Sequence, residues 1–299
     1  MRIFVAGQHG QLSLALARAL PQAGHELFAL DLPSLDLSRR DSVDAAFASL
    51  PWRPDLVVNA CAYTAVDRAE DDRDTAFLVN GEGAGWLAAG AAALGVPFIH
   101  ISTDYVFDGS KGAPYTEDDL PNPIGVYGAS KLAGERAVLA ANPRSAILRT
   151  AWVCSADGNN FVKTMLRLAR EGRETVGVVA DQHGAPTFAA DLAAAIVKLA
   201  PRLAAAPAGD AGFGLFHLTG QPHTSWHGFA EAIFAGLAAR GEQVPVLTAI
   251  TTADYPTKAH RPADGRLDCG RITRIHGITP ADWRQSLEAC LDQLVGLRR

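Results

Sequence analysis

The sequence predicts an α/β fold with a parallel, doubly wound sheet, followed by a smaller C-terminal part. Three features of the 299-residue chain carry this prediction. Short apolar strands alternate with helical stretches up to about Thr150, a glycine turn directly follows the first strand, and the alternation loosens afterwards. Strands separated by helices at this spacing are typical of parallel sheets with right-handed crossovers.

In the first half, each predicted strand is bounded by residues that interrupt a helix. Pro54 and Asp55 open the third strand, and Gly95-Val96-Pro97 separates the long alanine-rich helix from the fourth. The predicted strands are Ile3–Ala6, Glu26–Leu30, Leu56–Ala60, Phe98–Ser102 and Ala146–Arg149, and the predicted helices are Gln11–Leu20, Ser42–Leu50, Thr75–Leu94 and Val126–Ala141.

The second half has fewer and less regular elements. A Gly-Asn-Asn turn begins its first helix, and the Ala/Gly/Pro-rich run Ala204–Gly214 predicts a surface loop. The predicted helices are Asn160–Arg170, Leu192–Leu199, Ser225–Ala239 and Asp282–Leu297, and Phe216–Leu218 is a predicted strand. We therefore expect one domain over residues 1–150 and a second over 151–299, interleaved through returns to the main sheet near 175–188 and 222–250.

Composition excludes several classes of protein. Apolar residues make up 48 % and charged residues 20 %, with a net charge of −5 and no basic stripe, so a nucleic-acid partner is not expected. No apolar run reaches the roughly 18 residues of a membrane span, and Met1 to Gly7 resembles a strand rather than a signal peptide. Four scattered cysteines without a CxxC pair indicate neither zinc nor disulfides, so we expect a cytoplasmic protein.

The glycine turn after the first strand predicts a dinucleotide site. Gly7 permits a tight turn, Gly10 lets the backbone approach a pyrophosphate, and Ser13 stands where a third glycine is usual. The following helix N-terminus supplies N–H donors. Glycine turns are common after strands, but the position of this one inside a βαβ unit favours nucleotide binding.

Asp31 ends the second strand, where a carboxylate can accept hydrogen bonds from both adenosine ribose hydroxyls. It would repel a 2′-phosphate, which favours NADH over NADPH, although Arg39 and Arg40 lie close enough in sequence to soften the preference. A solvated loop aspartate is the alternative. The small residues Ala60 to Ala62 suit a flat cofactor beside the third strand or, equally, close helix–sheet packing.

The strongest pattern joins Thr103, Tyr127 and Lys131. Thr103 closes the fourth strand at the sheet edge where ligands bind. Tyr127 and Lys131 are four apart on a predicted helix and share one face. A neighbouring ammonium should lower the phenol pKa, so that tyrosine protonates a carbonyl oxygen as hydride arrives, while Thr103 polarises the carbonyl. An exposed helical pair is the alternative for the Tyr–Lys spacing alone.

These motifs resemble those of the extended short-chain dehydrogenase/reductases and, within them, of the dTDP-4-dehydrorhamnose reductases. The resemblance implies a Rossmann-like nucleotide domain with a smaller substrate-binding domain, and reduction of a 4-keto sugar nucleotide by NADPH or NADH. It rests on residues 7–12, 59–67, 102–107, 127–135, 149–153, 158–161 and 181–187, together with Arg261-Pro262 and Arg266-Leu267.

Carried over residue by residue, the resemblance assigns roles along the cleft. Trp152 would offer an apolar face to a deoxysugar, although the residues alone favour a core position. Arg261 and Arg266 could neutralise a pyrophosphate. The catalytic residues would be Thr103, Tyr127 and Lys131; the cofactor would contact Gly7, Gly10, Gln11, Leu12, Asp31, Asp36, Leu37, Ala62, Tyr63, Thr64, Tyr127 and Lys131; and the substrate would contact Thr103, Asp104, Trp152, Asn160, Arg261 and Arg266.

One departure from the family concerns metal. Some members form dimers through a magnesium ion held by glutamates, but the matching positions are Ala15, Ala190 and Gln293. None can be a carboxylate ligand, so we expect no metal site and a monomer or weak homodimer. Other functions stay open: a different nucleotide-sugar ketoreductase, an epimerase that retains its NAD, or a non-catalytic nucleotide-binding regulatory subunit.

Overall fold

The computed structural model describes residues 1–296, which form alternating strands and helices. The strands are β1 Arg2–Ala6, β2 Glu26–Leu30, β3 Leu56–Asn59, β4 Phe98–Thr103, β5 Ser145–Thr150, β6 Val153–Cys154, β7 Thr175–Val179, β8 His183–Gly184, β9 Thr187–Phe188, β10 Gly214–His217, β11 Thr224–Ser225 and β12 Val246–Ile250. The α-helices are α1 Gln11–Gln22, α2 Arg40–Ala48, α3 Val66–Ala69, α4 Arg73–Phe77, α5 Ala84–Ala93, α6 Val126–Ala141, α7 Phe161–Arg170, α8 Ala189–Ala205, α9 Trp226–Ala239, α10 Gly270–His276 and α11 Trp283–Val295.

Six strands form the central sheet in the order β2-β1-β3-β4-β5-β10, and every neighbouring pair is parallel. The register places Val5 of β1 between Ala29 of β2 and Val58 of β3. The next two strands in the chain, β2 and β3, lie on opposite sides of β1, so the strand order changes direction between β1 and β3. The predicted α/β, parallel architecture is thus confirmed, and its ligand-binding edge is expected at that reversal.

Alternate residues of β1 pack against two different layers of helices. Ile3 and Val5 lie in a cluster with α1, α8 and α10, whereas Phe4 and Ala6 lie in a cluster with α2, α5 and α6. Because strand side chains alternate between faces, an uninterrupted apolar strand buries both sides. This accounts for the continuous apolar runs that the sequence shows in the first half.

The predicted helix Thr75–Leu94 contains an irregular turn that the sequence pattern did not reveal. Between α4 and α5, residues Leu78–Gly83 form a π-helix. Such wide turns inside α-helices are frequent at functional sites, since they reposition side chains. Here the turn carries Asn80, which is 1 % exposed and faces the loop after β3.

The second half packs around a separate apolar cluster formed mainly by α7, α9 and α11. Segments 175–188 and 222–250 were expected to rejoin the main sheet, but β7 pairs with β12 and β8 pairs with β11. The return is made instead by α8, which packs on α1, and by β10, which pairs with β5. The last predicted helix is observed as Trp283–Val295, and Leu297 of its predicted range lies outside the described residues.

All four cysteines are free thiols, as their spacing predicts. Cys154, Cys269 and Cys290 are buried and Cys61 is partly buried. Burial raises the pKa of each thiol, which makes them poor nucleophiles. Across residues 1–296, no helix has both the length and the apolar character needed to cross a membrane.

Candidate active site

A cleft of about 790 Å³ opens along the carboxyl ends of β1, β3, β4 and β5. It covers the reversal between β1 and β3, where ligands bind in sheets of this kind. Most of the residues expected from the sequence line it. They are Gly7, Gly10, Gln11, Leu12, Asp31, Asp36, Leu37, Ala62, Thr64, Thr103, Asp104, Tyr127, Lys131 and Trp152.

The turn between β1 and α1 requires glycine and leaves hydrogen-bond donors facing the cleft. Gly7 has a φ of 119°, and a Cβ there would lie 2.6 Å from Oγ of Ser13. Gly10 is the N-cap of α1 and contributes no side-chain cap. The hydroxyls of Ser13 and Thr150 are buried in the cleft wall without a hydrogen-bond partner among the described residues. Free helix N–H groups and unpaired hydroxyls fit the pyrophosphate and ribose of a dinucleotide.

Asp31 closes this turn. Its Oδ2 accepts hydrogen bonds from the backbone N–H groups of Gln8 at 2.9 Å and His9 at 3.3 Å, and its Oδ1 accepts from Leu32 at 2.8 Å. The carboxylate therefore holds a fixed place at the mouth of the cleft, directly beside the glycine turn. A carboxylate in that place can accept hydrogen bonds from a ribose with two free hydroxyls, and it would repel a 2′-phosphate.

The loop after β3 is held by Asn80 of the π turn. The Asn80 Oδ1 accepts a hydrogen bond from Tyr63 N at 2.8 Å, and its Nδ2 donates to Tyr63 O at 3.0 Å and to Ser130 Oγ at 3.0 Å. The Tyr63 side chain was expected to line the cofactor site but turns away, since its hydroxyl donates to Asp72 at 3.1 Å. Ala62 and Thr64 remain in the cleft lining.

Tyr127 lies in the first turn of α6, close to the end of β4. Gly128 allows this approach, because a Cβ there would collide with the backbone carbonyl of Tyr105. Burial and the charge of Asp104 raise the pKa of the Tyr127 phenol to about 12, and a hydrogen bond with Thr103 lowers it in part. The expected depression of this pKa by Lys131 is therefore wrong, because desolvation dominates at this buried position.

Lys131 is buried one helical turn after Tyr127, at 2 % exposure. Its Nζ donates to the carbonyl of Ile101 at 2.6 Å and lies 3.4 Å from Nε2 of His100. Burial lowers the pKa of Lys131 to about 8, against an opposing effect of Glu135. The lysine is therefore charged near neutral pH yet close to losing its proton.

Thr103 and Asp104 form a hydrogen-bonded pair at the end of β4. Oγ1 of Thr103 donates to Oδ1 of Asp104 at 3.0 Å, and both residues line the cleft. Asp104 is 3 % exposed. Burial raises the pKa of its carboxyl to about 7, since its hydrogen bonds compensate only part of the desolvation.

This raised pKa predicts how Asp104 affects stability. A carboxyl whose pKa is raised by folding binds its proton more tightly in the folded state, so its contribution is favourable at low pH. That contribution is lost as pH rises from about 4 to about 7, and Asp104→Asn should therefore gain up to about 4 kcal/mol relative to the native protein at alkaline pH. The measurement is the free energy of unfolding of both proteins across this pH range.

The control for this experiment is Asp44→Asn, because the Asp44 side chain is 68 % exposed. It removes the same charge without relieving any desolvation. A difference between Asp104→Asn and the native protein that does not change with pH would contradict the assignment of a raised pKa to Asp104.

Trp152 forms an aromatic wall of the cleft together with a residue that the sequence analysis missed. The Trp152 ring stacks on Trp226 with centroids 3.7 Å apart, and Phe161 packs on Trp226 at 4.7 Å. Trp152 has a φ of 48°, and a Cβ on Gly184 would lie 2.7 Å from its ring. Left-handed backbone is costly for a bulky residue and is kept only where the surroundings enforce it. Trp226 is a single tryptophan at the start of the predicted helix Ser225–Ala239, and no sequence pattern indicated that it would line the cleft.

Three predicted substrate residues do not line the cleft. Asn160 caps α7 and also donates from Nδ2 to Gln11 at 2.9 Å and to Ser155 at 2.7 Å, so its amide serves local structure. Arg261 pairs with Asp67 at 2.7 Å, and Arg266 pairs with Asp264 at the same distance. A pyrophosphate role for either arginine would require exchange of its carboxylate partner.

The expectation that this chain has no metal site stays a prediction. Ala15 lies on α1, Ala190 on α8 and Gln293 on α11. Within the described part of the chain, no three His, Cys, Asp or Glu residues are grouped so that they could hold an ion.

Known proteins match this chain over nearly its whole length. The family model of the RmlD substrate binding domain matches residues 1–295. A dTDP-4-dehydrorhamnose reductase of Aggregatibacter actinomycetemcomitans is 44 % identical over 96 % of this chain and 97 % of that protein, and one of Sinorhizobium fredii is 46 % identical over 96 % and 95 %.

Solved structures agree with these relatives. A dTDP-4-dehydrorhamnose reductase of Clostridium acetobutylicum has a TM-score of 0.90 and 36 % identity, covering 98 % of this chain and 99 % of that one. The Bacillus anthracis enzyme of the same name, solved in complex with NADP, has a TM-score of 0.87 and 34 % identity over 97 % and 98 %. The chain therefore belongs to the RmlD substrate binding domain family, and the dTDP-4-dehydrorhamnose reductases named above are its relatives.

Proposed function

We propose that this protein reduces the C4 keto group of dTDP-4-dehydro-L-rhamnose to dTDP-L-rhamnose, with NADPH or NADH as the reductant. The observation that carries the proposal is the joint placement of Thr103, Tyr127 and Lys131 in one cleft beside the glycine turn. Full-length relatives that bear the reductase name support the choice of substrate.

In this proposal Tyr127 is the acid. Because the pKa of its phenol is about 12, it holds its proton at neutral pH and can donate it to the alkoxide that develops on the sugar. The bound nicotinamide would supply the hydride. Thr103 would turn its hydroxyl proton from Asp104 to the keto oxygen and so orient it, and the Lys131 ammonium would stabilise the tyrosinate left behind. The nucleoside diphosphate would contribute binding energy that positions the reacting carbon.

The second half of the chain, residues 151–299, would form the sugar-nucleotide pocket. Trp152, supported by Trp226, would present an aromatic face to the deoxysugar ring. The paired arginines Arg261 and Arg266 would contact the diphosphate only after releasing their aspartates. Residues 1–150 would hold the cofactor.

We further propose a preference for NADH. Asp31 places a carboxylate at the mouth of the cleft, and the two arginines that follow it most closely in the sequence are each paired with another aspartate. Arg39 forms an ion pair with Asp41 at 2.5 Å, and Arg40 lies 3.7 Å from Asp44. The structure of the Bacillus anthracis relative contains NADP, so the two cofactors need direct comparison.

The test mixes the purified protein with dTDP-4-dehydrorhamnose and follows loss of the reduced nicotinamide, with NADH and NADPH in parallel. Net oxidation with formation of dTDP-rhamnose supports the proposal, whereas interconversion of sugars without net oxidation would identify an epimerase. Activity only with UDP- or GDP-linked keto sugars would show that the substrate carries a different nucleotide from the one proposed. No turnover, together with a stoichiometric enzyme partner in a pull-down, would favour a regulatory subunit.

A further inference from the structure

A chain of buried polar groups leads from the backbone after β3 to the side chain of Lys131. The Cys61 N–H donates to Asn59 Oδ1 at 3.0 Å, Asn59 Nδ2 lies 3.1 Å from His100 Nδ1, and His100 Nε2 lies 3.4 Å from Lys131 Nζ. Asn59 is 1 % and His100 0 % exposed. The proposed catalytic cycle assigns no role to either of them.

The backbone N–H at one end fixes the direction of every hydrogen bond in this chain. Because the Cys61 N–H can only donate, the amide oxygen of Asn59 must face it, and the Asn59 NH₂ group must face His100. Nδ1 of His100 therefore accepts. Burial lowers the pKa of His100 well below its ordinary value, so the ring is neutral and carries one proton. That proton must be on Nε2, the nitrogen that faces Lys131.

An N–H group facing Lys131 distinguishes the two forms of the lysine. An ammonium has three donors and no acceptor, so it meets the ring N–H unfavourably. A neutral amine can donate to the Ile101 carbonyl, at 2.6 Å, and accept from Nε2 with its lone pair. The other groups around Lys131 act differently: Glu135, on the same helix, favours the ammonium, whereas the Cys61 thiol and the Tyr127 phenol are both neutral because burial raises their pKa.

We propose that Asn59 and His100 are positioning residues that form a tautomer lock, which presents a ring N–H to Lys131 and thereby controls the protonation state of that lysine. The chain of hydrogen bonds ends at a backbone N–H, so it cannot carry protons to solvent. Its role is electrostatic. The catalytic consequence rests on the proposed function, because it matters for turnover only if Lys131 acts in the reaction.

The lock itself can be tested without any assay of activity. In protein with ¹⁵N-labelled histidine, NMR distinguishes protonated from unprotonated ring nitrogens, and a His100→Gln variant identifies the His100 signals. We expect Nε2 protonated and Nδ1 unprotonated from mildly acidic to mildly alkaline pH. A proton on Nδ1, or on both nitrogens, would overturn the proposal.

Asn59→Asp should reverse the lock. A carboxylate at this position accepts from both the Cys61 N–H and the His100 ring, which moves the ring proton to Nδ1 and turns Nε2 into an acceptor for the Lys131 ammonium. NMR titration of the Lys131 side chain should then give a higher pKa, with the ammonium-to-amine ratio at a given pH raised about tenfold or more.

Two controls separate the tautomer from the added charge. Asn142→Asp replaces another buried amide, one that donates to the Val96 carbonyl away from Lys131, and should leave the lysine pKa unchanged. In a His100→Phe background the effect of Asn59→Asp should shrink, since only its charge remains. An equal effect in both backgrounds would refute the lock.

The pH profile of turnover then links the lock to the reaction. If the proposed function holds, the ionisation of Lys131 seen in kcat/KM moves in Asn59→Asp in parallel with the NMR titration. A protein that has the expected His100 tautomer but does not reduce the substrate would keep the lock and reject the function. A protein that reduces the substrate but carries the His100 proton on Nδ1 would keep the function and reject the lock.

Discussion

Tyr127→Phe is expected to lower kcat of the proposed reduction by roughly 10²–10⁴, the usual range for loss of general acid–base catalysis. The change removes the only atom through which this side chain can deliver a proton, and it keeps the ring. That ring packs against Tyr105 with centroids 5.5 Å apart, an apolar contact that phenylalanine preserves. The folded structure and the cleft should therefore survive while turnover is lost.

The measurement is steady-state kinetics with dTDP-4-dehydrorhamnose, together with direct titration of cofactor binding to the variant. Tyr115→Phe is the matched control, because the Tyr115 hydroxyl donates to Asp108 at 2.8 Å and its ring stacks on Phe107 outside the cleft lining. Tyr115→Phe should turn over normally. Near-normal turnover of Tyr127→Phe would mean that another group is the acid.

The sequence was sufficient to predict that Thr103, Tyr127 and Lys131 lie together in one cleft. Tyr127 and Lys131 are on one helix, and Thr103 ends the strand beside it, so the topology alone brings them together. The sign of the Tyr127 pKa shift was not predictable in the same way. It depends on burial and on Asp104, which only the packed structure reveals.

Other features were beyond sequence reasoning because they depend on contacts between distant segments. Trp226 becomes part of the cleft wall only through its stacking on Trp152, 74 residues away in the numbering. The pairing of β7 with β12 instead of with the main sheet is likewise a tertiary choice, which the local apolar pattern of Thr175–Val179 does not encode. His100 lies between Ile99 and Ile101 in β4, and the local sequence does not show which polar groups contact it.

The buried ion pair between Glu135 and Arg149 gives the largest stability prediction. Arg149 donates from Nε at 2.8 Å and from a terminal nitrogen at 2.7 Å to the two carboxylate oxygens, and Ser102 adds a hydrogen bond at 2.5 Å. The Arg149 side chain is 1 % exposed and the Glu135 side chain is 3 % exposed. Glu135→Gln would leave the guanidinium buried without its counter-charge, which is expected to cost about 3–5 kcal/mol of unfolding free energy.

Denaturant unfolding of single and double variants tests this interpretation. Glu171→Gln is the control, because its i,i+4 pair with Arg167 is exposed and should contribute no more than about 0.5 kcal/mol. If the penalty of Glu135→Gln comes from an uncompensated charge, adding Arg149→Met should recover a substantial part of it, since an apolar side chain needs no partner. A double variant that loses the sum of both single losses would show that the pair acts by packing rather than by charge. Glu135 also lies one helical turn after Lys131 on α6 and favours its ammonium, so the recovered double variant reveals whether the proposed catalytic lysine needs this charge.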